Sequence, residues 1–234
     1  MNPELLSLCM VSASVALLHT LTGPDHYLPF IAIGRAKSWS LPRTLGLTAV
    51  CGVGHVGSSI VLGLVGVAFG LSIFKLNATE SSRGEVAAWL LFIFGCTYTI
   101  VALWRMFKSR THTHSHIHAD GTRHSHTHGH VAAHAHVHGD GKLTPWILFT
   151  IFVFGPCEPL IPIVMVPAAR ANLASLILVT SIFALVTIGT MLVLVSSLSA
   201  GLRVLPARWL HRWGQVLAGV TLSVCGGGML FLGW

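Results

Sequence analysis

Six stretches of the chain are apolar over about twenty residues or more, and its polar residues gather between them instead of alternating within them. They run Leu5–Ile33, Leu45–Phe74, Val86–Phe107, Thr144–Ala169, Leu173–Leu198 and Gly214–Leu232. A helix needs about 20 such residues to cross about 30 Å of hydrocarbon. The pattern therefore predicts an all-α polytopic membrane protein with six transmembrane helices. Gly-Pro pairs interrupt the first and fourth stretches, so those two helices are expected to be broken. The first is not expected to be a cleaved signal, since its leader carries Glu4 and no Lys or Arg.

An ungapped shift of 132 residues lays GPDHYLPFIAI (Gly23–Ile33) over GPCEPLIPIVM (Gly155–Met165) and HVGSSIVL (His55–Leu62) over TIGTMLVL (Thr187–Leu194), with seven of nineteen positions identical. Spans one to three thus read as duplicated in spans four to six. Residues 1–107 form one three-helix repeat, 144–234 the second, and 108–143 the connection. An odd number of crossings inserts the second copy from the opposite side. Inverted repeats with paired broken helices mark many secondary transporters, whose substrate sits near the midplane between the breaks.

Composition agrees. Hydrophobic residues are 53% and charged residues 9%, too few charges to wet a soluble globule, so a soluble enzyme and a nucleic-acid partner are both excluded. The formal charge of +7 is set by placement: eleven of fourteen Lys and Arg follow spans one, three and five, and only Lys75, Arg83 and Arg170 lie on the other side. Cytoplasmic loops collect such residues. We expect an integral protein of a bacterial-type inner (plasma) membrane, both termini outward and 108–143 cytoplasmic, with the lipid bilayer as its constant partner. The sequence leaves the oligomeric state open.

The breaks carry the chemistry. Pro24 and Pro29 would free the carbonyls of Thr20 and Asp25; Pro156, Pro159 and Pro162 would free those of Phe152, Gly155 and Glu158. Unwound backbone is tolerated at membrane depth only where protein or a cavity surrounds it, so two matching breaks predict one shared chamber. Of seven acids, Asp25 and Glu158 alone fall within the predicted spans. A central carboxylate costs about 2.5–3.5 kcal/mol on insertion scales, which points to function. His19 precedes the first break, His26 follows Asp25, and His55 lies among glycines of span two; Cys157 precedes Glu158. His19, Asp25, His26, His55, Cys157 and Glu158 offer imidazole, carboxylate and thiolate, a donor set for Ni, Co, Zn or Cu and not for Mg or Ca. Other readings of these residues are a hydrogen-bonded buried pair for the acids and simple packing for single histidines. The five cysteines form no CxxC pair and predict no disulfide framework.

Eleven of the twenty-seven residues from 112 to 138 are histidine: His112, His114, His116, His118, His124, His126, His128, His130, His134, His136 and His138. The segment has no apolar core, so it is expected to be disordered without ligand. Its imidazoles suit late first-row metals at low specificity. A pH-responsive tether or an inconsequential polyhistidine tract are the alternatives.

At HTLTGPDHYLPFIAIGR (His19–Arg35), GVGHVGSSIVLGL (Gly52–Leu64) and FGPCEPLIPIVMVPAA (Phe154–Ala169) the chain resembles nickel/cobalt transporters of the NicO type. It is especially similar to their six-span urease-accessory-type and sulfite-exporter-like relatives. The histidine-rich connection between spans three and four is typical of nickel/cobalt exporters. The resemblance implies movement of Ni²⁺ or Co²⁺ through a first-helix histidine-aspartate-histidine motif, here His19, Asp25 and His26. The usual motif has four residues between the first His and Asp-His, and this chain has five. On continuous helix the extra residue turns His19 by about 100°. The expected function is a secondary transporter of a divalent transition-metal ion, Ni or Co ahead of Zn or Cu, with no permanent cofactor. The alternatives are an accessory protein presenting metal to a cytoplasmic enzyme, and an exporter of a small sulfur-containing anion, against which Asp25 and Glu158 argue. No HExxH, GxSxG or GxxxxGK[ST] motif occurs, and no enzymatic activity is expected.

Overall fold

A computed structural model describes residues 3–108, 112–117, 123–128, 140–169, 172–202 and 207–233. Its body is helical: α1 (Pro3–Thr22), a 3₁₀ turn (Pro24–His26), α2 (Leu28–Ala36), α3 (Leu41–Ala68), α4 (Ile73–Lys108), α5 (Asp140–Phe154), α6 (Leu160–Ala169), α7 (Leu173–Gly201) and α8 (Ala207–Leu232). Among the described residues, α1, α3, α4, α7 and the Trp213–Leu232 part of α8 are each long and apolar enough to cross a membrane, as an integral membrane protein requires. The fourth expected span is two short helices, α5 and α6, on either side of its break. The expected third span began at Val86, whereas α4 begins at Ile73. Asn77, Glu80, Ser81, Ser82 and Arg83 looked like loop by polarity, yet nothing in that stretch breaks a helix and Glu80 and Arg83 pair at i,i+3.

Both breaks are local. α1 ends where Pro24 offers no N–H to continue the ladder; the Gly23 N–H still bonds the His19 carbonyl at 3.1 Å. Pro29 then falls in the first turn of α2, where a missing N–H costs nothing. α5 ends likewise at Phe154, the chain turns through 155–159, and Leu160 N–H bonds the Cys157 carbonyl at 2.9 Å to restart the helix.

Small residues set the packing. α4 lies along α8, and a β-carbon placed at Gly226 would come within 2.5 Å of the Phe92 backbone nitrogen, an approach that small residues permit between membrane helices. Ser12 of α1 donates to the Val179 carbonyl of α7 at 2.9 Å. Thr20 and Thr48 donate back to the carbonyls four residues earlier, which satisfies their hydroxyls without a partner helix. One apolar cluster joins α1, α3, α6 and α7, and a second joins α2, α4, α5 and α8. A third, around Phe30, Cys51, Phe152 and Met191, closes the space between them.

Two stretches of the histidine-rich connection are described. Residues His112–Ile117 (β1) and Arg123–His128 (β2) pair as antiparallel strands, with His112 opposite His128, His114 opposite His126 and His116 opposite His124. Its alternation of His with Thr and Ser has period two, the period of a strand. His118, His130, His134, His136 and His138 lie outside the described residues.

Candidate metal centre

Three histidines from three elements converge at the first break. His19 is in the last turn of α1, His26 ends the 3₁₀ turn and His55 is in the middle of α3. The His26 ring lies 4.7 Å from that of His19 and 5.0 Å from that of His55, centroid to centroid, and nearly perpendicular to both. The 3₁₀ turn achieves this: leaving α-geometry after Thr22 offsets the rotation that the extra residue would impose on continuous helix. From the second break, Cys157 completes the group. His19, His55 and Cys157 each bring one ligand atom, and the three atoms lie within 4.8 Å of one another. Ligands of a tetrahedral ion at about 2.0–2.3 Å stand about 3.4 Å apart, so closure on an ion needs the widest pair to approach by up to about 1.4 Å.

Most of the site is buried. His26 and His55 are 3% and 2% exposed and Cys157 is fully buried. Among the described residues, His19 Nε2, His26 Nε2 and the ring nitrogens of His55 are buried without a well-formed hydrogen bond. Native proteins rarely tolerate such orphans, each costing about 1–3 kcal/mol. His19 and His55 can each offer one lone pair to the space they share with the Cys157 sulfur. Thr187, which the 132-residue shift lays under His55, is also buried, its hydroxyl without a partner among the described residues.

Asp25 stands one shell further out. Its Oδ1 is 3.2 Å from His26 Nδ1, and the Gly23 carbonyl is 3.1 Å from the same nitrogen. Both neighbours are acceptors, so Nδ1 carries a proton. A carboxylate orienting a metal-binding imidazole is the common outer-shell arrangement. Glu158, the other expected ligand, is exposed and lies outside the histidine-thiol group. It lines, with His19, Ser81, Glu85 and Pro156, a cleft of about 570 Å³. His19 therefore stands between this acidic cleft and the buried centre.

Sequence reasoning missed Glu80 and Arg83. Glu80 is fully buried, and Arg83 donates to Glu80 Oε1 at 2.8 Å, to Ser58 Oγ at 2.7 Å and to the Val153 carbonyl at 2.7 Å. Arg83 thus ties α3 and α4 to the end of α5, one turn before Cys157. The Glu-x-x-Arg spacing within ESSRGE was the available signal.

Gly23 is required by the geometry of the first break. A β-carbon there would lie 2.5 Å from His26 Nδ1 and 2.9 Å from Asp25 Oδ1. Gly23→Ala is expected to displace the His26 ring, lower stability by about 1–3 kcal/mol and weaken metal binding. Titration calorimetry and thermal unfolding on the same detergent-purified sample check both effects. Compared with known protein families, curated proteins and solved structures, the chain matches none.

Proposed function

We propose that this protein is a secondary transporter that moves a divalent late first-row metal ion, Ni²⁺ or Co²⁺ ahead of Zn²⁺, through the centre formed by His19, His26, His55 and Cys157. The observation that carries this reading is the meeting of His19, His55 and Cys157 from α1, α3 and the second break, one ligand atom of each within 4.8 Å of the others. Packing alone gives no reason for two imidazoles and a thiol to converge there, and one ion bridges all three. Imidazole with thiolate selects a borderline or soft ion.

Two further observations support transport over storage. One is the cleft holding Glu85 and Glu158 beside His19: its acids would raise the local cation concentration and repel an anion. The other is an exchange of partners between the two halves: α1 packs on α7 and α5 on α3, while α3 meets α7 and α4 meets α8. Such pairing suits inverted repeats related by a pseudo-two-fold axis, with alternating access by rocking of the halves. His and Cys bind metal in their deprotonated forms, so loading releases protons and metal/proton antiport is the natural coupling. By the distribution of Lys and Arg, the histidine-rich connection lies on the cytoplasmic side, where it would gather or buffer the ion.

The test is flux into proteoliposomes containing a metal-sensitive dye, with the histidine tract deleted so that loop imidazoles do not mask the centre. Uptake of Ni²⁺ or Co²⁺ that depends on a pH gradient is expected. Asp25→Ala should weaken binding about 10–100-fold, the usual loss when an outer-shell partner of a metal-bound imidazole is removed. No flux of Ni²⁺, Co²⁺, Zn²⁺ or Cu⁺ under a gradient of either sign would overturn the proposal. The paired histidines of the β1–β2 ladder favour one alternative, a membrane accessory protein handing metal to a cytoplasmic enzyme. That protein would lose its function with the tract, whereas a transporter keeps its flux.

A further inference from the structure

A second site lies away from the metal centre, where α4 meets α5. Lys37, Tyr98, Arg105 and Gln215 line a cavity of about 360 Å³ at the ends of α2 and α4. A second cavity, of about 470 Å³, runs from it along the same two helices between Leu90, Ile93, Trp146 and Ile151. Phe94, Thr97, Leu143 and Ile147 line both cavities. The two together form one amphipathic groove, cationic and polar at one end and apolar along the rest.

Its dimensions fit one leaflet. From Leu90 to Arg105 along α4 is about 22 Å at 1.5 Å per residue. Half of a bilayer's hydrocarbon is about 15 Å, and one headgroup region adds about 6 Å. Lys37 and Arg105 lie in the segments that carry most of the chain's Lys and Arg, on the side read as cytoplasmic, where membranes present anionic lipid. Trp146 is 67% exposed and forms part of the apolar wall. Bulk lipid would coat any apolar groove; two cations at its headgroup end make it selective.

We propose that the α4–α5 groove is a binding site for an anionic phospholipid, its phosphate held by Lys37 and Arg105 and an acyl chain lying against Trp146. The site bridges the last helix of the first half and the first helix of the second, so its occupant joins the two halves where α4 and α5 touch only lightly. It does not depend on the metal reading.

Trp146 provides the readout. The full-length protein is reconstituted in phosphatidylcholine vesicles containing a minor fraction of dibrominated phosphatidylglycerol, or of dibrominated phosphatidylcholine. The Trp146 signal is taken as the difference between wild type and Trp146→Phe. Stronger quenching by the brominated anionic lipid is expected. Lys37→Gln with Arg105→Gln should weaken that preference about fivefold for each charge removed, and Lys37→Arg with Arg105→Lys should retain it. Inorganic phosphate in the buffer should not reverse the quenching. Equal quenching by the two lipids, a preference that survives removal of both charges, or full reversal by inorganic phosphate would each overturn the assignment.

Discussion

Replacing His55 with leucine is expected to make the metal-free protein more stable while abolishing the metal binding proposed for it. His55 is 2% exposed, and its ring nitrogens make no well-formed hydrogen bond among the described residues. A leucine of similar bulk removes these buried polar atoms, and a buried polar atom without a good partner costs about 1–3 kcal/mol. The metal-free gain should therefore be about 1–3 kcal/mol, less than the sum of two, since the leucine does not match the imidazole's shape. The loss of affinity should exceed the roughly hundredfold upper range of an outer-shell change, because a ligand itself is removed. Thermal unfolding in detergent with chelator, with and without added Ni²⁺, measures both. A histidine placed for packing gives the opposite pattern, a less stable protein whose response to metal is unchanged. Stability given up for function is common where a site must be held ready.

Arg83→Met is expected to be among the most damaging single changes outside the candidate metal centre. It leaves the fully buried Glu80 carboxylate without its cation and uncovers the Val153 carbonyl at the end of α5. Removing one partner of a buried pair costs about 3–5 kcal/mol, because the remaining charge stays in a poor solvent. With 18% of the Arg83 side chain exposed, the lower part of that range applies. Glu80→Leu combined with Arg83→Met should recover much of the loss, since no buried charge then remains. Recovery should be incomplete, as Ser58 and Val153 still lack their donor. Unfolding midpoints of the two single variants and the double variant form the cycle that tests this. If the double variant is no more stable than Arg83→Met, Glu80 is not the source of the cost.

These variants also show how far a linear reading reaches. The breaks at Gly23-Pro24 and Gly155-Pro156 were legible because proline acts through its own missing N–H, a property no distant residue alters. Glu80 was assigned to a loop because polarity was read as exposure. The i,i+3 Arg83 and the close approach of α3 and α5 supply that carboxylate with a buried partner instead. Glu158 went the other way: an acid inside an apolar run was read as buried, yet the turn at 155–159 leaves it exposed in a cleft. The histidine-rich connection lacked an apolar core, but its period-two alternation was in plain view and corresponds to the β1–β2 ladder.

From its residues alone, then, the chain declared long apolar helices, two interrupted ones and the chemical types gathered at the interruptions. Those features depend on hydrophobic run length and on backbone donors, which are local quantities. Tertiary structure decided which side chains meet. It brought His19, His26, His55 and Cys157 into one cluster, put Asp25 beside His26, and buried Glu80 against Arg83. Helix packing settles such pairings through crossing geometry and close approach at small residues, and these depend on segments more than a hundred residues apart in sequence.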